Sequence, residues 1–157
     1  MKLVKIILGA IAIIWILSLV ISKIMLPIQN PEGHYSGLIL DQESDQILKE
    51  SCFDCHSNLT KSYWYMKMPL VSIFIAHHIS EGREELNFSK WDSLTDKQKK
   101  KAIEKSLDEI SEGEMPLKPY INMHPSAEID SEKLEKLKKA AHRIYGVIPE
   151  DGVPDKD

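Results

Sequence analysis

Cys52-Phe53-Asp54-Cys55-His56 takes up both cysteines of the chain, and its spacing is that of a c-type haem attachment site. In such a run the two thiols add to the vinyl groups of one haem. The histidine beside the second thiol becomes the proximal ligand of the iron. The two-residue gap lets both sulfurs reach one porphyrin edge while the next side chain turns toward the metal. One covalent haem c on Cys52 and Cys55, with His56 on the iron, is therefore the expectation. A haem would supply much of the core that a small helical domain lacks. No stretch of alternating β-branched residues stands out, so the fold expected around the motif is all-α, and its haem-free form is expected to be poorly folded. Two other chemistries use Cys-x-x-Cys. A thioredoxin-like redox motif sits in a βαβ unit, and no strand–helix alternation surrounds this one. A structural zinc site takes four ligands; without a second cysteine pair it would have to draw on His77, His78 or His124.

Residues 1–26 differ from the rest. Ile6 to Ser22 is uncharged, between Lys5 and Lys23, and Ile24-Met25-Leu26 prolongs the apolar run. About 20 apolar residues cross a bilayer, and flanking lysines reach the interface without ending the span. A secretory signal has an apolar region of about 7–15 residues and then a small-x-small cleavage site. Here Ala10-Ile11-Ala12 lies inside the run, and Ile21-Ser22-Lys23 is a poor site. Residues 1–26 are read as an uncleaved, single-pass anchor in the cytoplasmic membrane. Lys2 and Lys5 ahead of the span favour a cytoplasmic N-terminus. The haem domain then lies on the periplasmic, outer side, where c-type haem is attached. Leaving out the three anchor lysines, the outer portion has 17 basic and 24 acidic residues, a net charge of −7. That argues against nucleic acid as a partner. It suits either a basic docking surface on a redox protein or solubility alone.

Pro27, Asn30-Pro31 and Gly33 mark residues 27–43 as a turn-rich linker. Residues 44–148 follow as the haem-binding domain and 149–157 as a disordered tail. Ser44 is placed to cap a short helix leading to Cys52, with Ile47 and Leu48 on its buried side. Asn58 to Met68 reads as irregular and aromatic. Pro69 suits the first position of a helix on which Leu70, Phe74 and His78 share one stripe; Gly82 ends or loosens it. Thr95-Asp96-Lys97-Gln98 is a capping box. The helix it opens buries Ala102, Ile103, Ser106, Leu107 and Ile110 and stops at Gly113. The run from Lys97 to Lys101 reads as a solvated face of that helix. A last helix starts near Asp130, stapled by Ile129 and Leu134, with Leu134, Leu137, Ala141 and Ile144 turned inward.

A haem iron needs a sixth ligand or an open site. Met115 is the first candidate because of its setting, Gly113-Glu114-Met115-Pro116: a proline after the thioether stiffens the loop that presents it. The ordinary alternative is a core methionine. Met66, Met68 and Met123 lack this context. His78 is the second candidate, with His77 and His124 behind it. Its other readings are a buried, hydrogen-bonded histidine or one that holds a haem propionate.

A series of spaced residues runs from Cys52, Cys55, His56, Ser57 and Asn58 through Trp64-Tyr65, Pro69, His78 and Glu81-Gly82-Arg83. It continues with Leu86-Asn87-Phe88-Ser89, Trp91, Gly113-Glu114-Met115-Pro116, Tyr120 and His124-Pro125. In this order, and over nearly the whole outer portion, the series resembles the bacterial haem-binding domain family of monohaem c-type proteins. The resemblance implies covalent haem outside the cytoplasmic membrane and a helical fold. It implies no defined reaction. Ser62-Tyr63 departs from the family pattern, where a proline commonly precedes the Trp-Tyr pair, and His77 adds a second histidine beside the usual one. Arg83 offers a guanidinium fork to a propionate or to a nearby acid such as Glu84 or Glu85. Trp64 and Trp91 pack on the porphyrin or on each other in the core, and Tyr120 has a hydroxyl to donate to a propionate. The expected function is that of a membrane-tethered periplasmic monohaem cytochrome c with His56 and Met115 on the iron. It would carry electrons between redox protein partners and have no catalytic reaction of its own. The alternative is a haem enzyme or sensor, peroxidase-like or gas-binding. Its sixth position would be open or labile, with His78 or His77 as a distal acid–base group.

Overall fold

The computed structural model describes residues 2–25, 29–68 and 70–148, with side chains in the first stretch described for 2–20. Pro69 and the tail from residue 149 lie outside them. The regular structure of the described residues is seven α-helices and three 3₁₀ turns, with no strand, so the all-α class holds. Helix α1 (Lys2–Met25) is apolar around its circumference. Its stretch Lys2–Val20 has a mean hydropathy of 2.7 and is 6% buried. At about 1.5 Å per residue such a helix is long enough to cross a membrane.

Helix α2 (Gln42–Ser51) leads to the Cys-x-x-Cys-His motif. Its cap is Asp41 rather than the expected Ser44: the Asp41 carboxylate accepts the Ser44 N–H at 2.8 Å. A carboxylate suits this place because it meets the helix dipole as well as a free N–H. Ser44 is buried inside the helix, and its hydroxyl reaches the Lys136 carbonyl at 3.4 Å. Ile47 and Leu48 are buried as expected.

The described part of the expected linker is a strap packed on the domain. Ile39 and Leu40 are 2% and 5% exposed and belong to the core. Ile39 N–H donates to Asp45 Oδ1 at 2.8 Å, Tyr35 N–H to the Ser89 carbonyl at 3.0 Å, and the Asn58 amide to the Gly33 carbonyl at 3.1 Å. The turn residues shape the backbone, but Ile39 and Leu40 carry apolar surface that a free linker would leave in water.

After the single turn α3 (Phe53–His56) comes a 3₁₀ turn, Trp64–Lys67, and then α4 (Val71–Glu85). Leu70 and Phe74 do not face the core: they are 68% and 50% exposed. Helix α5 (Asp96–Ser111) opens on the expected capping box and buries Ile103 and Leu107, with Ala102, Ser106 and Ile110 half-buried. The chain turns away at Gly113, whose φ is +75°. Helix α6 (Lys118–Met123) is short. Helix α7 (Ser131–Tyr145) is capped by Asp130 and packs on α5 and α2. Leu137, Ala140 and Ala141 are its buried face, while Ile144 is 43% exposed. Beyond the helix the chain returns to the core. Gly146, at φ +63°, reverses the chain, and Val147 folds back to 1% exposure. Trp91, 1% exposed, stands in the core against Phe88 and Tyr145, not against Trp64.

Candidate functional site

The motif is wedged between α2 and α4. Close approach of α4 rests on Gly82, where an added Cβ would lie 2.9 Å from the Cys55 carbonyl oxygen. Gly82 therefore does not end the helix, which continues to Glu85; the residue is small because another backbone passes over it. Its carbonyl also accepts from His56. The His56 Nδ1 lies 2.9 Å from Gly82 O and 3.2 Å from Leu86 O. Both partners only accept, so Nδ1 carries the proton and Nε2 keeps a free lone pair, the form in which a histidine ligates a metal. Burial lowers the His56 pKa, against the pull of these two carbonyls, and holds the ring neutral. Gly82→Ala should push α4 off the motif and destabilise the domain by about 1–3 kcal/mol. Denaturant unfolding beside a Ser80→Ala control measures this; equal midpoints for the two would show that the contact yields freely.

Cys52, Cys55 and His56 line one side of a cavity of about 480 Å³, with His78 from α4, Met115 from the α5–α6 loop and Tyr120 from α6. The volume is that of a small-molecule or cofactor site. Leu48, Leu86, Phe88, Ala102, Ile110 and Leu117 make it apolar, and Glu81, Glu84, Glu85, Lys105 and Glu109 also line it. Ser51 is among the lining residues, and its buried hydroxyl has no hydrogen-bond partner among the described residues. A buried polar atom left so is one that a bound group or water would complete.

The donors fit a haem better than zinc or disulfide exchange. Burial pushes the Cys52 thiol up to about 12 and the Cys55 thiol up to about 11. Neither is then a ready thiolate, the form that attacks disulfides. Among the described residues no three His, Cys, Asp or Glu side chains gather as a metal cluster. His77 faces outward, 3.2 Å from Glu81. His124 Nε2 lies 2.5 Å from the Tyr65 hydroxyl, and its ring packs at a tilt among Tyr63, Tyr65 and Tyr120. Neither histidine lines the cavity. Met115 does: the N–H groups of Glu114 and Met115 both donate to Glu109 O, at 3.0 and 3.1 Å, which pins the loop to the end of α5. Met66 sulfur accepts from Tyr63 N–H instead, and Met68 and Met123 are exposed.

Trp64 and Arg83 lie away from the cavity. Trp64 is 70% exposed, edge-on to Tyr65. Arg83 donates to Ser57 O at 2.8 Å, Gln29 O at 2.7 Å, Asn30 Oδ1 at 2.8 Å and Thr60 Oγ1 at 2.9 Å. Its guanidinium is thus spent on tying the strap to the segment after the motif. The Tyr120 hydroxyl donates to Asp54 Oδ2 at 2.8 Å. Asp54 also accepts from the Tyr63 hydroxyl at 2.6 Å and Lys61 N–H at 3.0 Å. Burial, and then the Asp54 carboxylate, raise the pKa of Tyr63 and of Tyr120 and keep both as donors. Sequence reasoning passed over Asp54. The available signal was an acid inside the motif, followed closely by three aromatic residues.

A family model described as a haem-binding domain matches residues 20–143. No curated protein and no solved structure matches the chain.

Proposed function

The chain belongs to the haem-binding domain family, and from that premise we propose that it is a membrane-tethered monohaem c-type cytochrome. It carries electrons outside the cytoplasmic membrane. Cys52 and Cys55 hold the haem as thioethers, and His56 Nε2 and Met115 Sδ are the axial ligands. One observation carries this reading: both thiols, a histidine with Nε2 free and a loop-pinned methionine line the same apolar cavity. When bound, the haem supplies one-electron uptake and release at its iron. Gly82 and Leu86 hold the His56 ring in one orientation. Met115 closes the sixth position and leaves no place for a substrate. His/Met ligation raises the potential relative to bis-histidine, and the apolar walls limit water. The apolar α1 supports the tether, Lys2 and Lys5 support the outer location, and the acidic balance supports a basic redox partner.

Expression with a c-type maturation system tests the attachment. Wild type should keep its haem on a denaturing gel, and Cys52→Ala with Cys55→Ala should keep none. A wild type that loses its haem there refutes the c-type reading.

His78 favours a second reading, because it lines the same cavity while its ring packs on Phe74 at 4.3 Å. In a haem enzyme or sensor it would be the distal acid–base group beside a labile sixth position. Fast carbon monoxide binding by reduced wild type is the mark of that reading.

A further inference from the structure

From Cys55 to Ser80 the chain has no acidic residue, and its fixed charges are Lys61 and Lys67. The outer portion as a whole is strongly acidic. The same stretch leaves Leu59, Trp64, Met68, Leu70 and Phe74 exposed, five of the nine large apolar side chains exposed in the described residues from 29 onward. Trp64 and Met68, at the two ends of the 3₁₀ turn, adjoin Leu70 and Phe74 at the start of α4. The 3₁₀ turn packs on α4, Ser72 N–H donates to Met68 O at 2.9 Å, and Phe74 N–H donates to Leu70 O at 3.1 Å. Leu70 holds a φ of +67°, an outlier for a bulky residue. Its side chain is 68% exposed, so burial does not offset that strain.

The surface lies near the point where the chain leaves α1. Residues 26–28 separate Met25 from Gln29, a reach of at most about 14 Å. Arg83 fixes Gln29 and Asn30, and the Asn30 amide donates to Thr60 O at 2.9 Å. Trp64 is four residues beyond Thr60, again within about 14 Å.

We propose that this face lies on the lipid surface of the membrane that α1 crosses. Leu59, Trp64, Met68, Leu70 and Phe74 enter the interface, and Lys61 and Lys67 meet anionic headgroups. Tryptophan and lysine are the side chains suited to that boundary. Phe74 packs on His78, so docking brings the His78 wall of the cavity toward the membrane. The proposal rests on α1 spanning the bilayer.

The test is lysine acylation of the full chain in vesicles of phosphatidylcholine with one-third phosphatidylglycerol, read by mass spectrometry. Lys61 and Lys67 should react about fivefold more slowly than the exposed Lys97 and Lys139, the factor expected from the pull of an anionic surface on one lysine. Trp64→Glu, Leu70→Glu and Phe74→Glu together should abolish the difference while the chain stays in the membrane after a carbonate wash. Equal rates in wild type on vesicles that retain it overturn the proposal. So does slowing that survives the triple variant, or slowing seen only in native membranes, which would point to a protein on this face. Release of wild type by carbonate is a different failure, because it removes the spanning helix and the docking with it.

Discussion

Met115→Ala should turn a low-spin, six-coordinate haem into one that binds water or carbon monoxide readily. Met115 reaches the cavity on a loop anchored by two hydrogen bonds to Glu109 O, so its removal opens the site without disturbing the motif. A thioether is a soft ligand that favours reduced iron. Its loss should lower the potential by roughly 100–200 mV, a modest part of the ~0.8 V that axial ligands control. Met115→His should keep six-coordination at a lower potential than wild type. His78→Ala should leave the oxidised spectrum nearly unchanged. If His78→Ala removes the low-spin signature and Met115→Ala does not, the ligation is bis-histidine. A high-spin wild type that takes up carbon monoxide quickly makes the enzyme or sensor reading the better one.

Asp54→Ala should cost about 3–5 kcal/mol in denaturant unfolding of the holoprotein, the scale of losing several hydrogen bonds to a buried carboxylate. Asp54 is 6% exposed. The substitution strands two tyrosine hydroxyls and the Lys61 N–H, each at a cost of about 1–3 kcal/mol. Against a total stability of about 5–15 kcal/mol this is severe. Asp54→Asn keeps oxygen acceptance and should recover much of the loss. Tyr120 lies on α6, five residues past Met115, so freeing it should also loosen the Met115 loop. Carbon monoxide should then displace the sixth ligand faster in Asp54→Ala than in Asp54→Asn. An unchanged unfolding midpoint for Asp54→Ala would show that the network carries little of the fold.

Several features were legible because their causes are local. The capping box at Thr95 and Gln98 formed as read, since its donors and acceptors are three residues apart. Gly113 turns the chain at a positive φ, a conformation that glycine adopts without steric cost. Other features depend on partners far along the chain. Turn residues made 27–43 look free, but Asp45, Ser89 and Arg83 hold the strap down. The stripe of Leu70 and Phe74 has core-like spacing, yet among the described residues it is exposed. Periodicity says that one face is apolar without saying what it meets. Gly82 was read as ending or loosening its helix because close passage of the Cys55 backbone, 27 residues earlier, leaves no mark in its neighbours.

By itself the sequence determined the helical class, an N-terminal helix apolar enough for a membrane, and a run of five consecutive residues, Cys52 to His56, with the spacing of a haem attachment motif. Tertiary structure alone decided which side chains share the cavity. It brought Met115 and His78 to the motif and turned His77 outward. It gave Arg83 to the strap and Tyr120 to Asp54. The physical reason is that a side chain's type and spacing define the bonds it is able to make, while packing across the chain selects the one it does make.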